Sequence, residues 1–428
     1  MKLKPRAFFR GVHLAGHKTP AGNLPVQHLP APETLFIPLS QHTGAAAEPV
    51  VQPGQAVRRG ELIARSAGGV SANIHASAAG TVKAIETRPD GRGATAQFIV
   101  IERAAAQEDA FLPPLTAPSA QEIMERIEAC GLVGMGGAGF PTHIKLNPPV
   151  PVDTLILNGA ECEPYLTCDD ALMQQHRSEI IRGAKYMATA LGVGRVIVAI
   201  EKNKPEAIAA FEQSEFDVVP LKKQYPMGAE KQLIYCCTGR KVPLGKLPAH
   251  TGVIVQNVAT AFAVCEAVEQ GKPLIERTVT VTGAGIATPK NLICPIGAPL
   301  SALAEACGGE KDAVKLVAGG PMTGTALTGT DAVVTKTTGG FLFLTAKETN
   351  TDAPTPCINC GRCAQVCPMK LMPMQTEFYT DAKEYENAAK YGGVLACIEC
   401  GACSYICPAR RPLAQAIKTA KAELRRKS

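Results

Sequence analysis

Eight of the sixteen cysteines in this 428-residue chain fall into two copies of one spacing. The first copy is Cys357-x-x-Cys360-x-x-Cys363-x-x-x-Cys367-Pro368, and the second is Cys397-x-x-Cys400-x-x-Cys403-x-x-x-Cys407-Pro408. Nothing else in the sequence restricts the fold as strongly. In this spacing the first three thiolates cap one cubane iron–sulfur cluster and the fourth reaches the other cluster, so the two runs must interlock. The reading therefore assigns one [4Fe–4S] cluster to Cys357, Cys360, Cys363 and Cys407, and the other to Cys397, Cys400, Cys403 and Cys367. Zinc also accepts four short-spaced thiolates, but zinc ribbons use C-x-x-C pairs rather than triplets with a trailing Cys-Pro. The other cysteines (Cys130, Cys162, Cys168, Cys236, Cys237, Cys265, Cys294 and Cys307) show no ligand spacing and read as small buried hydrophobes. Unpaired and cluster-bound thiols fit a reducing compartment.

Composition narrows the class. Hydrophobic residues make up 46% of the chain and charged residues 19%, which suits a folded protein and excludes a disordered one. No apolar run approaches the roughly 18–20 residues that span a bilayer. The best candidates, FLFLTA (341–346) and RVIVAI (195–200), have strand length. MKLKPRAFFR is not followed by an apolar core, so no secretory signal is expected. The net charge of +6 equals that of the last twenty residues, ARRPLAQAIKTAKAELRRKS, leaving the rest neutral as a set. Nucleic-acid binding needs a broad basic field and is not expected. The basic segment reads as a solvated helical tail, or as a patch touching an anionic membrane face or an acidic partner.

At about 150 residues per domain, the length allows two to four domains. Residues 30–105 hold short β-type runs between turn signals, among them TLFIPL (34–39), GELIARS (60–66), GTVKAIE (80–86) and AQFIVIE (96–102). Their phrasing is similar to half of a biotinyl/lipoyl-type sandwich. A carrier domain of that type presents a Lys at its hairpin tip, and SANIHASAAG (71–80) has none, so a docking or structural role is expected. After the linker FLPPLTAPSA (111–120), Ile123, Met124, Ile127 and Cys130 repeat at helical spacing. Gly134, Gly136 and Gly139 formally make G-x-G-x-x-G, but a helix precedes them where the dinucleotide fingerprint requires a strand. With Gly137 they still form a backbone able to approach an anion. Then TLILN (154–158), a helix over roughly 169–191, RVIVAI, KPEAIAAFEQ (204–213) and FDVVPL (216–221) alternate as in a parallel α/β sheet. A β-rich module runs from RTVTVTG (277–283) to 346 with one helix near 299–308, and a linker (346–356) leads to the cysteine runs, with a helix expected over 384–393.

GMGGAGFPTHIK (134–145), LNGAECEP (157–164), YPMGAEKQLIY (225–235) and QNVATAFAV (256–264) resemble the flavin- and NADH-binding subunit of respiratory complex I. RTVTVTG with VAGGPMTG (317–324) resembles the adjoining β-grasp (SLBB) module. IPLSQHTGAAAEPVVQPGQAV (37–57) and the ferredoxin-like cysteine pair extend the likeness, in order, to the C subunit of the Rnf (Rsx) ion-translocating electron transport complex. The resemblance implies a multidomain α/β chain of four parts. These are an N-terminal barrel-sandwich-hybrid-like β-sandwich (1–112), a Rossmann-like FMN/NADH-binding domain (120–273), the β-grasp module (274–346) and a bacterial ferredoxin-like 2[4Fe–4S] domain (350–428). It implies a peripheral subunit on the cytoplasmic side of the inner membrane, held there by membrane-embedded Rnf subunits and a ferredoxin-like B subunit. Noncovalent FMN and two [4Fe–4S] clusters would relay electrons to or from NAD(H), because flavin can link two-electron and one-electron carriers.

The same resemblance implies site residues. Gly134, Gly136, Gly137 and Gly139 would wrap the FMN phosphate and nicotinamide, with Phe140 as a stacking ring and Lys145 as a phosphate partner. Asn158, Glu161 and Glu163 match the family's N-G-D-E-S-E-P turn, Gly228 and Glu230 its G-E-E turn, and Asn257 the Asn of N-V-E-T. Ala160, Ala229 and Ala259 stand where the pattern has acids, so the pocket is expected to lose three carboxylates and to bind nucleotide more weakly. The Gly319–Gly324 stretch reads as a turn packed on the sheet rather than a site. Alternative readings are a soluble NADH-dependent cobalamin reductase and a noncatalytic iron–sulfur adaptor.

Overall fold

The computed structural model describes residues 5–22, 24–350 and 352–427, the last of these by its backbone. The opening Met1–Lys4 and the closing Ser428 of the segments read above lie outside the described residues.

The N-terminal β module packs two antiparallel sheets. One orders Thr34–Pro38, Thr95–Arg103, Gly80–Pro89 and Ala56–Val57; the other orders Glu48–Pro49, Leu62–Arg65 and Ile74–His75. Leu35, Ile37, Ile63, Val82, Ile99 and Ile101 alternate inward, and the same core continues into Val279, Val281 and Phe341 of the β-grasp module. The sandwich is therefore fused to that module and is not a free carrier.

The central domain is a four-stranded parallel sheet in the order Asp217–Leu221, Arg195–Glu201, Thr154–Gly159, Val253–Asn257. Its strands are almost wholly buried, as a parallel sheet covered on both faces requires. Helices Ala120–Ala129, Cys168–Gln175, Arg177–Leu191 and Val258–Gln270 cover one face, and Glu230–Thr238 covers the other. The strand order reverses between Thr154–Gly159 and Val253–Asn257, so the crevice beyond their carboxyl ends is where a ligand is expected. Asn158 and Asn257, the register partners there, stand at that point. The single helix expected over 169–191 is two, broken at His176, whose ring meets Phe262 at 4.8 Å between centroids.

The β-grasp sheet has six strands in the order Gln27–His28, Lys290–Pro295, Glu276–Thr282, Gly340–Thr345, Ala313–Ala318, Thr325–Ala326, with helix Leu300–Ala306 on it. Its first strand comes from the N-terminal segment, which does not join the sandwich. Upstream of that strand, Val12 bridges Tyr225, and Gly11 N–H and Arg10 Nη1 donate to the carbonyls of Val366 and Ala364. Residues 5–28 thus tie three modules together.

The cysteine domain is helical: Arg362–Val366, Pro373–Asp381, Tyr385–Gly392, Ala402–Tyr405 and Leu413–Lys427. The basic segment is not a solvated tail. Leu413, Ile417 and Ala420 bury one face of the last helix, while Arg411 pairs with Glu377 and Asp381, and Lys421 with Glu399. Among the described residues no helix is long and apolar enough to cross a membrane.

Candidate functional site

The two cysteine runs adopt the same backbone. Asn359 and Glu399 take left-handed φ of 54° and 55°, Gly361 and Gly401 follow at 72° and 75°, and Lys370 and Arg410 after each Cys-Pro take 59° and 56°. Repeating a costly conformation at non-glycine positions means that each loop must curl around something. The curl turns N–H groups toward sulfur: Glu399 N–H donates to Cys397 Sγ at 3.2 Å and Leu371 N–H to Cys367 Sγ at 3.4 Å. Cys357, Cys360, Cys363 and Cys407 line one cavity, and Cys367, Cys397, Cys400 and Cys403 line another. Two sets of four soft donors with no hard ligand among them fit [4Fe–4S] clusters. Cys357 and Cys360 are exposed, whereas the members of the second set are buried or half-buried.

The crevice at the strand reversal opens into a cleft. Gly136, Gly137, Asn158, Glu161, Glu163, Gly228 and Asn257 line it. Asn158 Nδ2 donates to the Gly228 carbonyl at 3.0 Å, fixing the turn after the strand. Asn257 caps helix Val258–Gln270 through Ala259 N–H and donates its Nδ2 to Asp169 at 2.7 Å. Glu161 sits at φ +45°, its carboxylate accepting Asp169 N–H at 2.7 Å with Lys18 and Lys204 3.5 and 4.0 Å away. Burial raises the pKa of both Glu161 and Glu163. Glu163 accepts from Met322 N–H at 3.1 Å and Thr323 Oγ1 at 2.5 Å.

Other predicted residues fall elsewhere. Gly134, Gly139, Phe140, Lys145 and Glu230 do not line the cleft. Phe140 is half-buried, and its carbonyl accepts Gly134 N–H, closing the glycine loop. Lys145 is engaged with Glu230 at 2.9 Å. The three alanines do not share one pocket: Ala229 lines the cleft, Ala160 is packed into the core under the sheet, and Ala259 faces a neighbouring cavity. The Gly319–Gly324 turn is a wall of the cleft through Gly319, Gly320 and Thr323, because Glu163 ties it there. A Cβ on Gly320 would lie 2.2 Å from Glu163 Oε2, so the turn must be glycine to seat that carboxylate.

Further residues line the cleft without a sequence signal of their own, among them Cys162, Asp169, Tyr225 and Arg277. Tyr225 lies in the YPMGAE motif and Arg277 opens RTVTVTG, but no spacing marks either side chain. Burial raises the Tyr225 phenol pKa, and its OH donates to the Cys400 carbonyl at 2.7 Å. Ile398 and Cys400 themselves line the cleft, so cleft and second thiolate set share a wall. The cradle fits a flavin nucleotide: an open glycine backbone at Gly137, a helix N-terminus beside it, and one buried cation.

A sandwich, a switch-point α/β domain and an interlocked double cysteine unit define a modular flavin and iron–sulfur electron-transfer protein. Residues 127–266 match the Nuo51 FMN-binding domain, 6–106 the RnfC barrel sandwich hybrid domain and 350–408 a 4Fe–4S dicluster domain. The chain is 45% identical to the C subunit of the ion-translocating oxidoreductase complex of Rhodobacter capsulatus, over 97% of this chain and 82% of that one. It is 43% identical to the C subunit of the proton-translocating ferredoxin:NAD(+) oxidoreductase complex of Clostridium ljungdahlii, over 98% and 94%. With the Na(+)-translocating counterpart of Acetobacterium woodii the identity is 39%, over 99% and 98%. The chain belongs to this family of C subunits.

Proposed function

We propose that this chain is the flavin-bearing C subunit of a membrane-associated, ion-translocating ferredoxin:NAD(+) oxidoreductase. A flavin held by the residues lining this cleft would supply the chemistry that links two-electron exchange with a nicotinamide to one-electron exchange with a cluster. The protein supplies position and exclusion of water. Asn158 with Gly228 and Asn257 with Gly136 line the cleft beyond the ends of two neighbouring strands, and Glu163 pins the β-grasp turn to it. The observation that carries the reading is the shared wall: Cys400 lines both the cleft and its thiolate cavity, and Tyr225 bonds its carbonyl. The Cys367/Cys397/Cys400/Cys403 set, next to the cleft, and the Cys357/Cys360/Cys363/Cys407 set would hold the two clusters, which would supply one-electron carriers beyond the flavin. The exposed Cys357 and Cys360 make the latter set the exit to a partner. That partner is a ferredoxin-like subunit, and membrane-embedded subunits hold the chain on the cytoplasmic side of the inner membrane.

The test uses the full chain prepared without oxygen. It should hold about eight irons, given two cubanes, and take up FMN in a visible-absorbance titration. NADH should then bleach flavin and clusters. Cys360→Ala should abolish reduction of an added ferredoxin-type acceptor while NADH still reduces the flavin. Acceptor reduction that survives with that cluster absent refutes the relay. Failure to take up FMN would favour the iron–sulfur adaptor.

A further inference from the structure

Among the described residues lining the cleft, Arg277 is the one cation. It enters from the β-grasp strand Glu276–Thr282, not from the flavin-domain sheet. It is 3% exposed, and no carboxylate oxygen of the described residues lies within 4.0 Å of it, although ion pairs at that distance are common elsewhere in the chain. Its nitrogens meet only the Thr338 carbonyl, 3.3 Å from Nε, and Met135 Sδ, 2.6 Å from Nη1. Cys168 and Asp169 act on it through space, but Asp169 is bonded to Asn257 Nδ2 and stays beyond that distance. A buried guanidinium with five donors and so few acceptors is costly unless an anion completes it.

Its surroundings say which anion. Met135 precedes Gly136 and Gly137, whose backbone lines the cleft. Met135 N–H is held by Thr260 Oγ1 at 3.0 Å, in the first turn of helix Val258–Gln270. A Cβ on Gly136 would stand 3.3 Å from Asn257 Cβ, so loop and helix start are in contact. Arg277 touches Met135, the residue before the glycine backbone that lines the cleft, and that loop is held against the N–H end of a 13-residue helix, so a guanidinium without a carboxylate partner, an open glycine backbone and a helix start are linked through Met135. That combination suits a dianionic phosphate monoester. The wall formed by Tyr225, Ile398 and Cys400 is the one that a ring must approach to exchange electrons with the second thiolate set. Lys145, bonded to Glu230, does not line the cleft.

We propose that Arg277, delivered by the β-grasp module, holds the phosphate of the flavin nucleotide and makes the cleft select FMN over riboflavin. The inference rests on the flavin reading of the cleft. It gives the β-grasp module a ligand-binding part, with the glycine loop and helix start sharing the anion.

The test titrates the full chain, prepared anoxically with its clusters and stripped of flavin, with FMN and with riboflavin. The parent should bind FMN more tightly. Arg277→Met should weaken FMN by roughly 10- to 100-fold, the loss expected for charge-assisted hydrogen bonds, and leave riboflavin within about two-fold, the spread of a neutral change. Arg277→Lys, which keeps the charge and is the safer variant to fold, should weaken FMN several-fold and riboflavin not at all. An unchanged ratio of the two affinities in either variant overturns the inference alone. Equal weakening of both flavins also overturns it, because that is the mark of a structural or ring-side role. A parent chain that binds neither flavin overturns the cleft reading and the inference with it.

Discussion

Gly183 lies inside helix Arg177–Leu191, where it meets the first turn of helix Val258–Gln270. A Cβ added there would stand 1.7 Å from the Ala261 carbonyl oxygen and 3.2 Å from Cys265 N. Real Cβ contacts do not fall below 3.0 Å, so Gly183→Ala must drive the two helices apart by about 1.3 Å. Alanine gains about 1 kcal/mol of helix propensity over glycine. Overpacking a rigid backbone contact costs more, about 3 kcal/mol or above, so the net is a loss of about 2 kcal/mol. For a unit of this size that lowers the melting temperature by roughly 4–8 °C. The displacement also reaches the cleft, because the turn being pushed carries Asn257 and holds Met135 through Thr260. FMN binding should therefore weaken although Gly183 touches no ligand. Thermal unfolding followed by circular dichroism, together with a flavin titration, reads both effects. Gly194→Ala is the control: nothing lies within 4 Å of its Cβ and its φ is not positive, so it should be neutral or slightly stabilising. A Gly183→Ala chain that melts with the parent and binds FMN equally would refute this account of the helix contact.

Ser119→Ala removes a reciprocal capping box, in which Ser119 Oγ accepts Glu122 N–H and Glu122 accepts Ser119 N–H at 2.8 Å, and should cost about 1 kcal/mol in chemical denaturation. Arg411→Ala leaves the Glu377 carboxylate, whose side chain is 5% exposed, without its 2.9 Å partner. The cost is about 1–3 kcal/mol, and iron from the Cys357-containing cavity that Arg411 lines should be lost to a chelator before the other half. Burial pushes Glu201 up to about 7, against the pull of Lys204 and Lys18. Its folded-state pKa is above the unfolded value of 4.5, so the native chain binds the extra proton between those pH values and loses stability as pH rises through that window. Glu201→Gln should flatten that dependence and gain on the parent by about 2–4 kcal/mol above pH 7; parallel stability curves from pH 5 to 8 would contradict it.

What could be read from the sequence was whatever a short window contains. The cysteine spacing implies its own interlocking, and the alternation of TLILN, RVIVAI and FDVVPL with helical runs implies a parallel sheet. The break at His176 has no Gly or Pro to announce it, and it sets the imidazole against Phe262, a residue remote in sequence. The basic final helix looked solvated because charge is visible in a string, whereas its acidic partners Glu377, Asp381 and Glu399 are supplied from other turns of the fold. The cleft divides in the same way. Asn158 and Asn257 sit at strand ends and lie within motifs, while Phe140 and Lys145 lie within motifs too and yet do not line the cleft: the Phe140 carbonyl accepts Gly134 N–H, and Lys145 pairs with the Glu230 carboxylate. Arg277 was hidden for a definite reason. Its strand is buried on both faces from residue 277 onward, so there is no polar–apolar alternation against which an inward arginine would stand out. A motif states which residues share a segment; which of them share a cavity depends on the modules that close over it. Here the closing pieces are the N-terminal segment through Lys18, the β-grasp module through Arg277 and the Gly319–Gly324 turn, and the cysteine domain through Ile398 and Cys400. The cleft is therefore complete only when all four parts are assembled, which makes the flavin site a readout of packing as far away as Gly183.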